Sequence, residues 1–195
     1  MSQNHAARTG KIAFQGTFGA FSDMSCRAMF PKMETVPCET FEDAFTALEN
    51  GSVDLAMIAV DNSLAGRVAD VHHLLPQKNL FIIGEHFQPI VMCLLGVKGS
   101  KISDLKDVHS HVHALPQCRK LIKELGLKPH IHPDTAGAAA DVATWNDKSQ
   151  SAIASKLAAD LYGLDVLKEG VQDIPNNTTR CLVFSREMVS PPKDA

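Results

Sequence analysis

Aromatic rings are scarce in this 195-residue chain, with one Trp, one Tyr and nine Phe. Long apolar runs are missing: no stretch approaches the roughly 20 residues that a membrane helix needs. The opening MSQNHAARTGK also lacks the apolar centre of a secretory leader. The expectation is a cytoplasmic protein with no membrane partner. Charge of one sign is not concentrated either, since 19 Lys and Arg and 22 Asp and Glu are mixed along the chain for a net charge of -3. Without a basic block or stripe to neutralise a phosphate backbone, nucleic acid is not an expected partner. The five cysteines, Cys26, Cys38, Cys93, Cys118 and Cys181, are odd in number and widely spaced among apolar residues. They read as reduced thiols, with no disulfide.

What is present is a 45% apolar composition, enough for one large domain or two small lobes. Strand and helix signals alternate throughout, the pattern of an α/β protein with a parallel sheet covered by helices. Residues 11–14 form a first strand, Gly16 and Gly19 a turn, and a helix follows over 21–29. Thr40 and Asp43 make a capping box for a helix carrying Phe41, Ala44, Phe45 and Leu48 on one face, and Gly51 closes it. Residues 53–60 are a buried strand that ends in Asp61-Asn62-Ser63, and a helix and a strand over 80–84 follow. The alternation restarts after Glu85 with a strand over 91–97, Val108 leading into Ser110-His111, and a helix over 115–125. An alanine-rich helix begins at Asp134-Thr135, and residues 166–171 carry the chain back.

Two such blocks predict two α/β lobes joined by crossing hinge strands. The first lobe spans about residues 9–86 plus 171–187, the second about 87–170, and 188–195 form a tail. Gln88, Pro89 and residues 168–170 are the hinge candidates. Polar clusters fall at strand ends or helix starts: Gly19-Ala20-Phe21-Ser22, Asp61-Asn62-Ser63, Ser110-His111 with Gln117-Cys118-Arg119, Asp134-Thr135 and Asn177-Thr178-Thr179-Arg180. In open α/β folds such positions line one cleft, and amides, hydroxyls and a guanidinium there suit a small polyanion. The plainer reading is that Asn62, Ser63, Ser110, Ser22, Asp134 or Thr135 simply cap helices or satisfy local backbone. His109, His111 and His113 alternate, as do His130 and His132. A metal would be one use of them, but no Cys or carboxylate follows at a ligand-like interval, so packing or a substrate contact is preferred.

These motifs resemble, in order, those of the prephenate dehydratase catalytic domain. The family's G-T-F-S turn stands as Gly19-Ala20-Phe21-Ser22, its E-N-S as Asp61-Asn62-Ser63 and its A-G-R-V as residues 65–68. The S-H-x-x-A-L-x-Q-C-R segment is residues 110–119, D-T-A-x-A-A is 134–139, A-A-x-L-Y-G-L is 158–164, and N-x-T-R-F is 177–181. Asp61, Ala20 and Cys181 depart from the family pattern. The resemblance covers about residues 9–187 and implies a fold similar to type II periplasmic binding proteins. It also implies a carbon–oxygen lyase that converts prephenate to phenylpyruvate, water and carbon dioxide in phenylalanine biosynthesis, without cofactor or metal. By that resemblance Thr179 is catalytic, donating to the leaving hydroxyl. Ser22, Asn62, Ser63, Ser110, His111, Gln117, Cys118, Thr135, Asn177 and Arg180 bind substrate, with Arg180 as a carboxylate clamp. A homodimer is expected, and so is insensitivity to phenylalanine, because the family's ACT domain does not follow residue 195. The alternatives are a prephenate decarboxylase, an arogenate dehydratase, or a non-catalytic small-anion binding protein.

Overall fold

The computed structural model describes residues 6–188, so the expected tail from Val189 to Ala195 lies outside the described residues. In chain order the strands are β1 (Gly10–Gln15), β2 (Met33–Cys38), β3 (Leu55–Asn62), β4 (Gly66–Arg67), β5 (Phe81–Pro89), β6 (Cys93–Gly96), β7 (Asp107–His111), β8 (Lys128–His132), β9 (Gln150–Ala154), β10 (Asp165–Glu169) and β11 (Thr178–Ser185). The α-helices are α1 (Phe21–Met29), α2 (Phe41–Glu49), α3 (Ala69–Leu74), α4 (Arg119–Glu124), α5 (Thr135–Trp145) and α6 (Lys156–Tyr162). The chain divides into two units. Among the described residues, one holds those up to Gly16, Ser22–Gln88 and those from Thr178; the other holds Thr17–Phe21 and Pro89–Asn177.

The first unit is built on a sheet in the order β2-β1-β3-β11-β5, with β4 beside the end of β3. β1 runs parallel to β2 and β3, whereas β11 runs antiparallel to β3. The capping box read from Thr40 and Asp43 is present: the Asp43 amide donates to Thr40 Oγ1 at 3.0 Å, and the Thr40 amide donates to Asp43 Oδ2 at 3.1 Å. Gly51, just past the helix end, takes φ +82°. α2 buries Ala44, Phe45 and Leu48 against Ala13, Ala56, Ile58 and Val60, and Phe184 meets Phe45 edge-on at 5.2 Å.

The second unit has a sheet in the order β10-β6-β9-β7-β8. Alternate residues of β6 and β9 feed two different cores, as the two-residue period of a strand requires. Leu94 and Ile153 pack with Val108, Leu115 and Leu121 on one side. Cys93, Leu95, Ala152 and Ala154 pack on the other against the alanines of α5 and α6. Small side chains at 136, 138, 139, 158 and 159 make that layer thin enough for helix backbone to approach the sheet closely.

Several expectations change. Both sheets are mixed rather than parallel, because β11 and β6 run against their neighbours. Residues 166–171 do not return to the first unit: β10 pairs antiparallel with β6, and the passage falls at Asn177/Thr178. The helix expected over 115–125 is a 3-10 turn (Leu115–Cys118) followed by α4, the break falling at Cys118, whose φ of -122° and ψ of 24° are not helical. The strand expected over 80–84 continues to Pro89.

Candidate functional site

Within the first unit, the register of β3 and β11 sets Thr179 opposite Asn62 and Arg180 opposite Asp61, and a bulge follows between Arg180 and Cys181. Bulges of this kind re-aim side chains at the end of a ladder. Asn62 Oδ1 accepts from the amides of Leu64 and Ala65, both at 2.9 Å, which is the Asx-type turn that lets the chain leave β3. Those two donors fix which end of the amide is oxygen. The Nδ2 end therefore donates to Thr179 Oγ1 at 2.9 Å, and less closely to the Thr178 carbonyl at 3.4 Å. A threonine hydroxyl that accepts there keeps its own proton for a different acceptor.

Ser63 closes the same ladder end. Its Oγ accepts from the Thr178 amide at 3.0 Å, and its amide donates to the Thr178 carbonyl at 2.9 Å. Arg180 does not present a bare fork: its Nε and Nη2 both lie 2.8 Å from Glu85 Oε2 on β5, and its guanidinium carbon is 6.0 Å from the Phe87 ring. Glu85 is a neighbour of the candidate site that the sequence pattern does not flag, because strands β5 and β11 are far apart in the chain and nothing local marks their pairing. Ser22 sits in the first turn of α1. Cys181, in place of the family's aromatic residue, is buried, and burial pushes its thiol up to about 11.

The remaining residues belong to the second unit. Asn177 Nδ2 donates to Gln117 Oε1 at 2.6 Å, and Gln117 Nε2 donates to the His113 carbonyl at 2.7 Å. Two residues that sequence alone selected separately thus form one partly buried amide pair. His111 lies at the end of β7; its Nδ1 accepts from the His113 amide at 3.3 Å, which puts the imidazole proton on Nε2. Burial, with the nearby His113, holds its pKa below the usual imidazole value, while Asp134 opposes that shift. The helix start of α5 is capped by Asp134 and not by Thr135: Asp134 Oδ1 accepts from the Gly137 amide at 2.6 Å, and its Oδ2 accepts from Thr17 Oγ1 at 3.1 Å. Thr135 occupies the first helical position.

Two of the expected residues face inward. Ser110 is fully buried and donates to the Ile153 carbonyl at 2.5 Å. Cys118 lies in the apolar core with its Sγ 3.5 Å from Met92 Sδ, and burial pushes its thiol up to about 12. The Gly19-Ala20-Phe21 turn is held on α6, where Ser155 Oγ donates to the Gly19 carbonyl and Tyr162 Oη to the Phe18 carbonyl. Gly19 has φ +89°, and a Cβ on it would stand 2.8 Å from Ala158 Cα. The alternating histidines meet in register on β7 and β8: the rings of His109 and His130 stack at 4.7 Å, and His130 Nε2 is 2.6 Å from Asp107 Oδ1. Among the described residues, no three His, Cys, Asp or Glu are grouped to hold a metal ion. A groove of about 1110 Å³ between α4 and β8 is lined by Leu115, Arg119, Lys123 and Ile131; of the polar clusters read from the sequence it takes only Arg119, and none of the expected catalytic or substrate-binding residues.

Comparison with known proteins matches residues 12–189 to the prephenate dehydratase family. The chain belongs to that family. The resemblance read from the motifs is thereby borne out. A bifunctional N-acyl-homoserine lactone acylase/prephenate dehydratase of Komagataeibacter europaeus is 49% identical over 181 residues, which are 93% of this chain and 64% of the relative. Arogenate dehydratase/prephenate dehydratase 1 of Arabidopsis thaliana is 44% identical over 184 residues, 94% of this chain and 47% of the relative. Among solved structures, the prephenate dehydratase of Arthrobacter aurescens in complex with L-Phe superposes with a TM-score of 0.86 at 28% identity, covering 94% of this chain and 62% of that one. The chain therefore spans between about half and two thirds of the length of these prephenate dehydratase relatives.

Proposed function

We propose that the protein is a cytoplasmic carbon–oxygen lyase that dehydrates and decarboxylates prephenate to phenylpyruvate. In this reaction the C–C bond to the ring carboxylate breaks, and its electron pair enters the ring as the ring C–O bond breaks. The hydroxyl leaves with a proton as water, and the carboxylate leaves as carbon dioxide. Aromatisation supplies the driving force. The protein has to orient a dianion and protonate a departing oxygen.

The observation that carries this reading is the Asn62 to Thr179 hydrogen bond. With one oxygen lone pair occupied by Asn62, the Thr179 hydroxyl keeps its proton for donation, the role a leaving hydroxyl requires. Asn62, Ser63, Arg180 and Ser22 of the first unit, and Ser110, His111, Gln117, Cys118, Thr135 and Asn177 of the second, are the proposed substrate-binding set. Within that set, Ser110 and Cys118 act by shaping the wall, since their side chains are buried. Neutral His111 offers an Nε2 proton to a carboxylate without acting as a base.

Incubation with prephenate followed by ultraviolet detection of phenylpyruvate tests the proposal. Thr179→Ala should lower kcat by ~10² to 10⁴-fold with little change in KM, and unchanged turnover would remove Thr179 from the reaction. Arogenate belongs in the same assay, because the Arabidopsis relative is named for both substrates. Tight binding of prephenate by calorimetry without product would instead support a binding protein.

A further inference from the structure

The face of the second sheet that carries Leu94, Val108 and Ile153 is covered by the Leu115–Cys118 turn and α4. Parallel register sets Pro129 beside Val108 and Ile131 beside Ser110, so Pro129 and Ile131 point to that same side. Val108 and Ser110 are buried there, yet Ile131 is 73% exposed, so the cover ends before the sheet does. The uncovered strip is the groove of about 1110 Å³ between α4 and β8, with Leu115, Ile122 and Leu127 as its floor. A concave apolar strip left open to water marks a place where another surface is received.

The rim of the groove has one sign of charge to spare. Arg119, Lys120 and Lys123 line it, all three are exposed, and among the described residues none of them makes an ion pair. Asp173, the lining carboxylate, already accepts from the Lys120 amide at 3.1 Å. In a chain of net charge -3, unneutralised cations beside bare apolar side chains ask for an acidic, amphipathic occupant. We propose that this groove binds an amphipathic helix of another polypeptide, apolar along one face and flanked there by Asp or Glu.

The spacing of the charges favours a helix. Arg119 and Lys123 stand one turn apart on α4, about 6 Å along its axis, and acidic residues four apart on a partner helix have the same separation. Apolar side chains between those acids would enter the floor, as in other helix-in-groove contacts. A small amphiphile with a single carboxylate would answer one cation and leave the others. Addition of a strand to the open edge of β8 is poorly served. The Lys128 amide donates to the Lys106 carbonyl at 2.8 Å, so alternation turns the backbone of Pro129 and Ile131 outward, and proline has no N–H to give. Because the groove takes none of the proposed catalytic or substrate-binding residues, its occupation can be read apart from turnover.

The probe is a fluorescein-labelled synthetic peptide of about 18 residues, or about five turns, with leucines on one face and glutamates flanking them. Fluorescence anisotropy with the full chain should show saturable binding that weakens with added salt. The same peptide with lysine for each glutamate, or serine for each leucine, should not bind. Ile131→Glu and Lys123→Glu should each weaken binding by about tenfold or more with unchanged circular dichroism. Absence of saturable binding, or binding that both folded variants leave unchanged, overturns the proposal. Binding of laurate with none of the peptide also overturns it and assigns the groove to a single-headed amphiphile. If Ile131→Glu loses its fold, Lys123→Glu, on an exposed helix position, decides alone.

Discussion

Thr179 is a poor acid, and in the proposed reaction its value lies in the direction in which its proton points. Asn62 enforces that direction only because its own oxygen is held by the Leu64 and Ala65 amides. Asn62→Asp replaces the donor with an acceptor, so the Thr179 hydroxyl should turn toward the carboxylate. The expected outcome is a loss in kcat comparable with that of Thr179→Ala, with the fold retained, measured by phenylpyruvate formation and circular dichroism. Glu85→Gln tests a different contact. A glutamine amide keeps one acceptor but removes the charge that balances Arg180. Substrate affinity should change while the melting temperature moves little, because both side chains are about half exposed and an exposed ion pair adds little stability. Thr179, Asn62, Gln117 and Asn177 were legible as polar residues at strand ends and in family motifs, and Asp134 as a candidate helix cap. The pairing of the first four, and the part played by Glu85 and Thr17, were not, because sheet register brings together residues with no local signal in common.

The elements themselves were legible where their signals are local. The capping box at Thr40 and Asp43 and the left-handed Gly51 both follow from short patterns. Thr40→Ala should destabilise the protein by about 1 kcal/mol, read from the urea midpoint, since it removes the acceptor for the Asp43 amide. Gly19→Ala should do more harm, because the added methyl meets Ala158 backbone on α6 and the residue would have to hold a positive φ. Strand direction left no such trace. Apolar alternation gives the same pattern for parallel and antiparallel neighbours, so β11 and β6 could not be oriented from their composition. The short α4 reflects the non-helical backbone at Cys118, which the amphipathic pattern around it does not signal.

For the whole molecule, the thiols make a pH prediction with a definite sign. Burial raises Cys118 to about 12 and Cys93 and Cys181 to about 11, from the 9.0 of a free thiol. Each folded-state value lies above the unfolded one, so these thiols withhold none of their stabilisation below about pH 9 and lose it as pH rises toward their folded values. Urea midpoints should hold steady through neutral pH and fall above pH 9, and Cys118→Ala should show a shallower alkaline decline than the wild type. The division into two α/β units was legible as a repeated alternation, whereas the place where the chain passes from the second unit back to the first depended on β10 pairing with β6.

The position of β11 has a consequence for biosynthesis on the ribosome. It is the last described strand to be made, yet it lies between β3 and β5. Until it emerges, the earlier strands of the first unit lack a common partner, and early termination would leave two sticky edges side by side. The same late segment brings Thr179. A polypeptide cut short before it would therefore lack the proposed proton donor and be prone to clump, so completion of the sheet and arrival of that hydroxyl occur together.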